Sequence, residues 1–227
     1  MLKMWKTAAI LLLICFLKGY SYDLSEYPYK SKFESAYARI NDTNLLISSL
    51  DDKDLDVVFS AMKRIGQLKI TSARFRVEEI LGESNPTANE GKAVQRAEFK
   101  YLFDMAVLVL GKIGDNQDAT TLSKLLRETR DQISLICLLQ ALGDLSNSDT
   151  ALEYLHQYAS LINNYSDARV VKGLVDAISA HRSRSSVVVL LTLMNKAPQN
   201  LRDYINDAVK EIEKAPAEKT DTNKGNK

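Results

Sequence analysis

The stretches "LVLGKIGDNQDATTLSKLL" (residues 108–126) and "LQALGDLSNSDTALEYL" (139–155) say nearly the same thing twice. An apolar run closes on Leu-Gly, a few polar residues follow, and a second apolar-periodic segment begins. Gly111 and Gly143 lie 32 residues apart. Working outward, the same phrase ending recurs at Gly66 in "AMKRIG", Ser179 in "LVDAIS" and Glu213 in "AVKEIE", so the full set of intervals is 45, 32, 36 and 34. The long interval contains "ESNPTANEGKAVQ", an insertion rich in turn formers, and shortens to about 32 without it. A repeat of this length built from two amphipathic segments is the pattern of an α-solenoid. Glycine at a phrase ending is expected to close a helix in the left-handed backbone region.

Each unit reads as a helix pair. Leu55, Val58, Met62 and Ile65 fall at steps of three and four, as do Phe99, Leu102, Ala106, Val109 and Ile113. Leu135, Leu138, Leu142 and Leu145 continue the series, then Val171, Leu174 and Ile178, then Leu201, Ile205, Ala208 and Ile212. Shorter second helices are marked by Ala73, Val77, Ile80 and Leu81; Ala119, Leu122, Leu125 and Leu126; Ala151, Leu155, Tyr158 and Ile162; and Val187, Leu190, Leu191 and Met194. These are stripes of period 3.6, and no stretch alternates as a strand would. One helix pair cannot bury its apolar face alone, so each unit's core is completed by the next. The polar set Asp203, Asn206, Asp207, Lys210 and Glu213 suits a terminal cap, and residues 33–50 suit the cap at the other end.

The quoted units, "DLDVVFSAMKRIGQL", "FKYLFDMAVLVLGKIGD", "DQISLICLLQALGD" and "DARVVKGLVDAIS", resemble HEAT repeats of the short bacterial type across roughly residues 50–213. The pattern is Asp, two residues, an apolar pair, then Ala-x-x-x-Leu-Gly and an acidic turn. The resemblance implies an all-α fold, a right-handed α-solenoid of about four to five helix pairs. Leu138 and Leu174 replace the small residue of that pattern, and the fifth unit keeps only its first helix.

The chain has 227 residues, 45% hydrophobic and 26% charged, enough for one domain with a sizeable core. Its first 21 residues stand apart. "MLKMWK" carries Lys3 and Lys6, "TAAILLLICFL" is an apolar run, and Gly19 and Ser21 are small. This is the pattern of a secretory signal peptide cut after Ser21. The run is shorter than the roughly 20 residues a spanning helix needs. An uncleaved anchor is the alternative; Cys15 also invites a lipoprotein reading, against which Ile14 stands. Removing Lys3, Lys6 and Lys18 from the 30 basic residues leaves 27 against 29 acids, a net charge of −2. Such a chain has no general attraction for nucleic acid. It also keeps a single cysteine, Cys137 within an apolar helix, so no internal disulfide is expected. Residues 22–33 read as an extended, tyrosine-rich lead-in that is not a packed element, and 214–227 as a disordered tail. Localisation is therefore expected to be periplasmic or secreted, or membrane-anchored if the signal is retained.

Catalytic motifs are scarce. Glu153 and His156 have the i, i+3 spacing of carboxylate-bridged metal sites, but His181 has no acid three residues earlier. HEAT-like hydroxylases bind iron through adjacent His-Glu pairs, where this chain has His156-Gln157 and His181-Arg182. No phosphate loop, nucleophile elbow or zinc ligand set occurs. The expectation is a non-enzymatic binding or scaffold protein without cofactor or metal, whose partner is a protein. Its contact residues are expected on the second helices at Arg74, Glu78, Lys124, Arg127, Glu153 and Gln157. The basic turn at Arg182 and Arg184 reads either as a turn with exposed charges or as a site for an anionic partner such as a phospholipid head group or an acidic peptide. Mixed charge on the second helices suits protein recognition better than polyanion binding. The insertion at 84–96 and the tyrosines Tyr27 and Tyr29 are further candidates, though docking against the first helices accounts for the tyrosines. A membrane-anchored accessory subunit of an envelope enzyme or transport complex, and a divergent HEAT-like enzyme, are the competing readings.

Overall fold

A computed structural model describes Leu24, residues 27–86 and residues 97–214. The proposed signal segment, most of the insertion and nearly all of the tail lie outside the described residues. Within them the chain forms eleven α-helices and no strand. Two short helices, α1 (Glu34–Tyr37) and α2 (Thr43–Ser48), precede α3 (Leu55–Leu68) and α4 (Arg74–Ser84). Then come α5 (Ala97–Ile113), α6 (Asn116–Glu128), α7 (Gln132–Asp144), α8 (Asp149–Ala159), α9 (Ala168–Ala180), α10 (Ser186–Lys196) and α11 (Arg202–Lys214).

The helix starts are local chemistry. Asp54, Asp131 and Asp167 cap α3, α7 and α9, each accepting from a backbone N–H of the first turn. Asp115 caps α6 in a reciprocal box with Asp118, and Ser148 caps α8. These side chains are therefore hydrogen-bond acceptors for otherwise unpaired amides, whereas Asp144, the acidic residue after Gly143, ends α7 and pairs with Lys112 at 2.8 Å.

Packing follows the order of the chain. The first helices of successive units touch in series, α3 on α5, α5 on α7, α7 on α9 and α9 on α11. Second helices lie against the next unit's first helix, α4 on α5, α6 on α7, α8 on α9 and α10 on α11. They also meet each other, α6 on α8 and α8 on α10. Met62, Ile65, Val109, Leu138, Leu142, Leu174, Ile178 and Ile205 are all fully buried along the first-helix series.

The glycines do something other than end helices. Gly66, Gly111 and Gly143 lie inside α3, α5 and α7, and none has a left-handed backbone. A Cβ on Gly111 would sit 2.6 Å from Ala141 Cα, one on Gly143 2.8 Å from Ala177 Cα, and one on Gly66 3.1 Å from Val109 Cγ2. Gly111 and Gly143 thus each lie against an alanine of the next first helix with no room for a side chain, while at Gly66 the nearest atom is Leu24 Cδ1, 2.7 Å from the Cβ position. The left-handed positions are Lys69 (φ 53°), just after α3, and Arg182 (φ 51°), just beyond α9.

The described lead-in residues are packed, which corrects the reading of 22–33 as an unpacked segment. Tyr27 is 1% exposed and Leu24 lies within reach of Gly66. Tyr29 stacks on Tyr101 with centroids 4.5 Å apart, meets Phe59 edge-on, and donates to Asp56. Ser31 is buried and donates to the carbonyl of Asp56, while Lys63, 3% exposed, reaches Glu34 at 2.5 Å. Tyr27, Tyr29 and Ser31 lie against α3 and α5, and each of their hydroxyls finds a hydrogen-bond partner.

Tyr27 ends on the most deeply buried carboxylate. Asp104 is 0% exposed, accepts from Tyr27 Oη at 2.7 Å and from Ser134 Oγ at 2.5 Å, and faces Lys100 Nζ at 3.2 Å. Lys100 also reaches Asp131 at 2.9 Å. Burial pushes the Asp104 carboxyl upward, with Lys100 as the chief counterweight, and burial beside Asp104 pushes the Tyr27 phenol up as well. This network ties lead-in, α5 and α7 together. Tyr27→Phe removes a donor from a buried carboxylate and should cost about 2 kcal/mol. That corresponds to a melting temperature lower by about 4–8 °C; an unchanged melt at pH 7 would mean the strap is not coupled to the core.

Candidate functional site

Among the described residues no three His, Cys, Asp or Glu side chains are grouped as metal ligands. Cys137 is fully buried, and burial pushes its thiol well up, so it stays protonated and packs as a small hydrophobe.

His156 and His181 lie on neighbouring elements. Nε2 of His181 donates to the carbonyl of Leu142 at 3.1 Å, and Nε2 of His156 lies 2.9 Å from Ser186 Oγ at the start of α10. Burial lowers both, and each nearby positive charge would add to the cost: His181 acts on His156 electrostatically, while Asp149 partly offsets the effect at His181. A histidine whose folded value lies below its unfolded one leaves stability intact above about pH 6.5 and removes it as pH falls from there. His156→Gln/His181→Gln should therefore flatten the loss of thermal stability between pH 7.5 and 5.5. Parallel pH profiles for the two proteins would show that the imidazoles do not titrate across folding. Asp118 works the other way, its carboxyl raised to about 6 by burial, and is common to both proteins in that comparison.

The expected contact residues divide into bonded and open ones. Arg74 is committed within the fold: it bonds Glu78 at 2.7 Å and Asp118 at 2.8 Å, and also Asp115. It joins α4 to the start of α6, and Glu78 is held with it. Arg127 donates to Gln157 Oε1 at 2.6 Å across α6 and α8 and lies 5.7 Å from the Tyr154 ring centroid. Gln157 in turn donates to Glu153 at 3.5 Å. Arg127, Gln157, Glu153 and Lys124 are all exposed, so this run of side chains on α6 and α8 faces solvent. Arg182 and Arg184 are exposed in the turn between α9 and α10.

Apolar exposure extends the surface to residues outside that expected set. Phe75 is 75% exposed at the start of α4, and Val188 is 70% and Leu191 40% exposed on α10. Leu191 belongs to a stripe read from the sequence as core, yet of Val187, Leu190, Leu191 and Met194 only Leu190 is buried. At the unit-joining edge, Leu161 (65%) and Tyr165 (90%) stand beside a groove of about 350 Å³ lined by Arg130, Tyr158 and Asp167. One signal for α10 was available, since "SVVVLLTLMNK" has apolar residues on every face and no single side could bury them all.

The chain matches no protein-family model, no curated protein and no solved structure. No helix among the described residues is long and apolar enough to cross a membrane.

Proposed function

We propose that this protein is an exported, non-enzymatic binding or scaffold protein, a HEAT-like α-solenoid whose second-helix row engages a protein partner. The observation that carries the reading is the makeup of that row. Exposed Phe75, the open Lys124–Arg127–Gln157–Glu153 run, and exposed Val188 lie on α4, α6, α8 and α10 in succession. Large apolar anchors among mixed charges, on helices locked together by their neighbours, suit recognition of a folded or helical protein surface. The serial packing of first helices and of second helices supports the solenoid reading, because each unit then completes its neighbour's core. Export rests on the basic, apolar and small-residue order of residues 1–21.

A photo-crosslinking residue at Lys124 in the native cell, with Lys210 as control, tests this reading. A defined protein adduct at Lys124 and none at Lys210 is expected; equal or no adducts at the two positions would defeat it. Retention of residues 7–17 as an anchor favours the second reading, an accessory subunit of an envelope complex. The intact mass separates the two, since cleavage after Ser21 leaves Tyr22 as the first residue.

A further inference from the structure

The open flank of α10 has a cause in the packing order. α6 is covered by the next second helix, α8, and α8 by α10, but the described neighbours of α10 are α8, α9 and α11. Ala119, Ser123 and Leu126, at i, i+4 and i+7 on α6, are all buried. Val187, Leu191 and Met194 have the same spacing on α10; Val187 and Met194 are only partly buried and Leu191 is 40% exposed. Among the described residues, the flank that a following second helix would cover is thus apolar and only partly covered, and Val188 widens it.

We infer that this flank binds an amphipathic helix of a partner protein, one with acidic residues beside its apolar stripe. The inference rests on the protein-binding reading above and assigns it a place and a partner chemistry. Residues 215–227, "APAEKTDTNKGNK", offer alanine and one proline as their only apolar side chains, too little to fill the flank from the adjoining chain. A second copy fits poorly for reasons of charge. α10 itself contains no acid, Arg182 and Arg184 are exposed before it, and Lys196 and Arg202 are exposed at its far end. Two α10 helices laid together, in either direction, bring basic side chains against basic ones at both ends. The acids of the neighbouring α11 are Asp207, bonded by Lys210 at 3.0 Å, and the exposed Asp203, Glu211 and Glu213. Those acids belong to α11, whereas α10 itself is flanked by Arg182 and Arg184 at one end and by Lys196 and Arg202 at the other, so its ends favour acids and the apolar stripe between them takes helix side chains at i, i+3, i+4 and i+7.

The experiment uses the full chain and two fluorescent helical peptides with one leucine stripe, flanked by Glu in one and by Lys in the other. Fluorescence anisotropy should show the Glu-flanked peptide binding at least tenfold tighter, with the preference falling as salt rises. Leu191→Glu should weaken that binding at least tenfold while helical circular dichroism is unchanged, and Lys210→Ala should leave it as it was. Equal affinity for both peptides, or binding indifferent to Leu191→Glu, would overturn the inference. So would a dimer of the peptide-free protein, seen in sedimentation and dissolved by Leu191→Glu, since that would make a second copy the occupant. An adduct at Lys124 together with no peptide binding would remove this inference and leave the general reading standing; loss of both would remove the general reading too.

Discussion

Gly111→Val is expected to destabilise the protein by at least about 3 kcal/mol, lowering the melting temperature by about 6–12 °C. The reason is geometric. A Cβ at position 111 would lie 2.6 Å from Ala141 Cα, 2.9 Å from its Cβ and 3.0 Å from its carbonyl oxygen. The obstructing atoms include backbone, so no rotamer change relieves the clash, and α5 and α7 must separate along their whole contact. Valine adds two methyl groups to that first overlap. Gly82 supplies the matching control, because a Cβ there meets nothing within 4 Å. Gly82→Ala in α4 should leave stability the same or raise it by about 0.5 kcal/mol through helix propensity, whereas Gly111→Ala should lower it despite the same gain. Thermal melts of the three variants read the outcome. Similar melting temperatures for Gly111→Val and the parent would mean that α5 and α7 do not approach each other as closely as these distances require.

Leu142→Asp should cost still more, about 5 kcal/mol, which is the lower end of a domain's whole stability. Leu142 is fully buried in α7, the helix that packs on α5, α6, α8 and α9 at once. Its carbonyl also receives His181. No cation faces the site among the bonds described, so an aspartate there must either stay charged without a partner or be protonated at the expense of its own ionisation. The expected readout is loss of a cooperative thermal transition. Lys124→Ala, at an exposed position on α6, should shift the melt by less than about 0.5 kcal/mol. A cooperative unfolding curve for Leu142→Asp near that of Lys124→Ala would contradict the central position of α7.

Periodicity made the helices legible because burial of one face is a local property of spacing. The stripes Leu135–Leu138–Leu142 and Val171–Leu174–Ile178 lie in α7 and α9, and the aspartates of the repeated phrase stand at helix starts where a carboxylate meets unpaired amides. The candidate contact residues were legible only as polar positions on second helices. Sequence could not divide them: Lys124 stays open while Arg74 is spent on Glu78, Asp115 and Asp118, because that depends on where α6 begins in space relative to α4. Leu191 was misplaced for a similar reason. Its stripe is read correctly as apolar, but whether an apolar face is buried depends on there being a neighbour to cover it.

By itself, then, the order of residues determined that the described residues are built of helices and where most of those helices start. Those properties come from hydrogen bonds and side-chain spacing within about a dozen residues of each other. Tertiary structure alone decided why Gly111 and Gly143 must be glycine, why Tyr27 and Asp104 belong to one network 77 residues apart in sequence, and which flank of α10 is left bare. Each of those is a distance between segments remote in the chain, and no local pattern carries a distance.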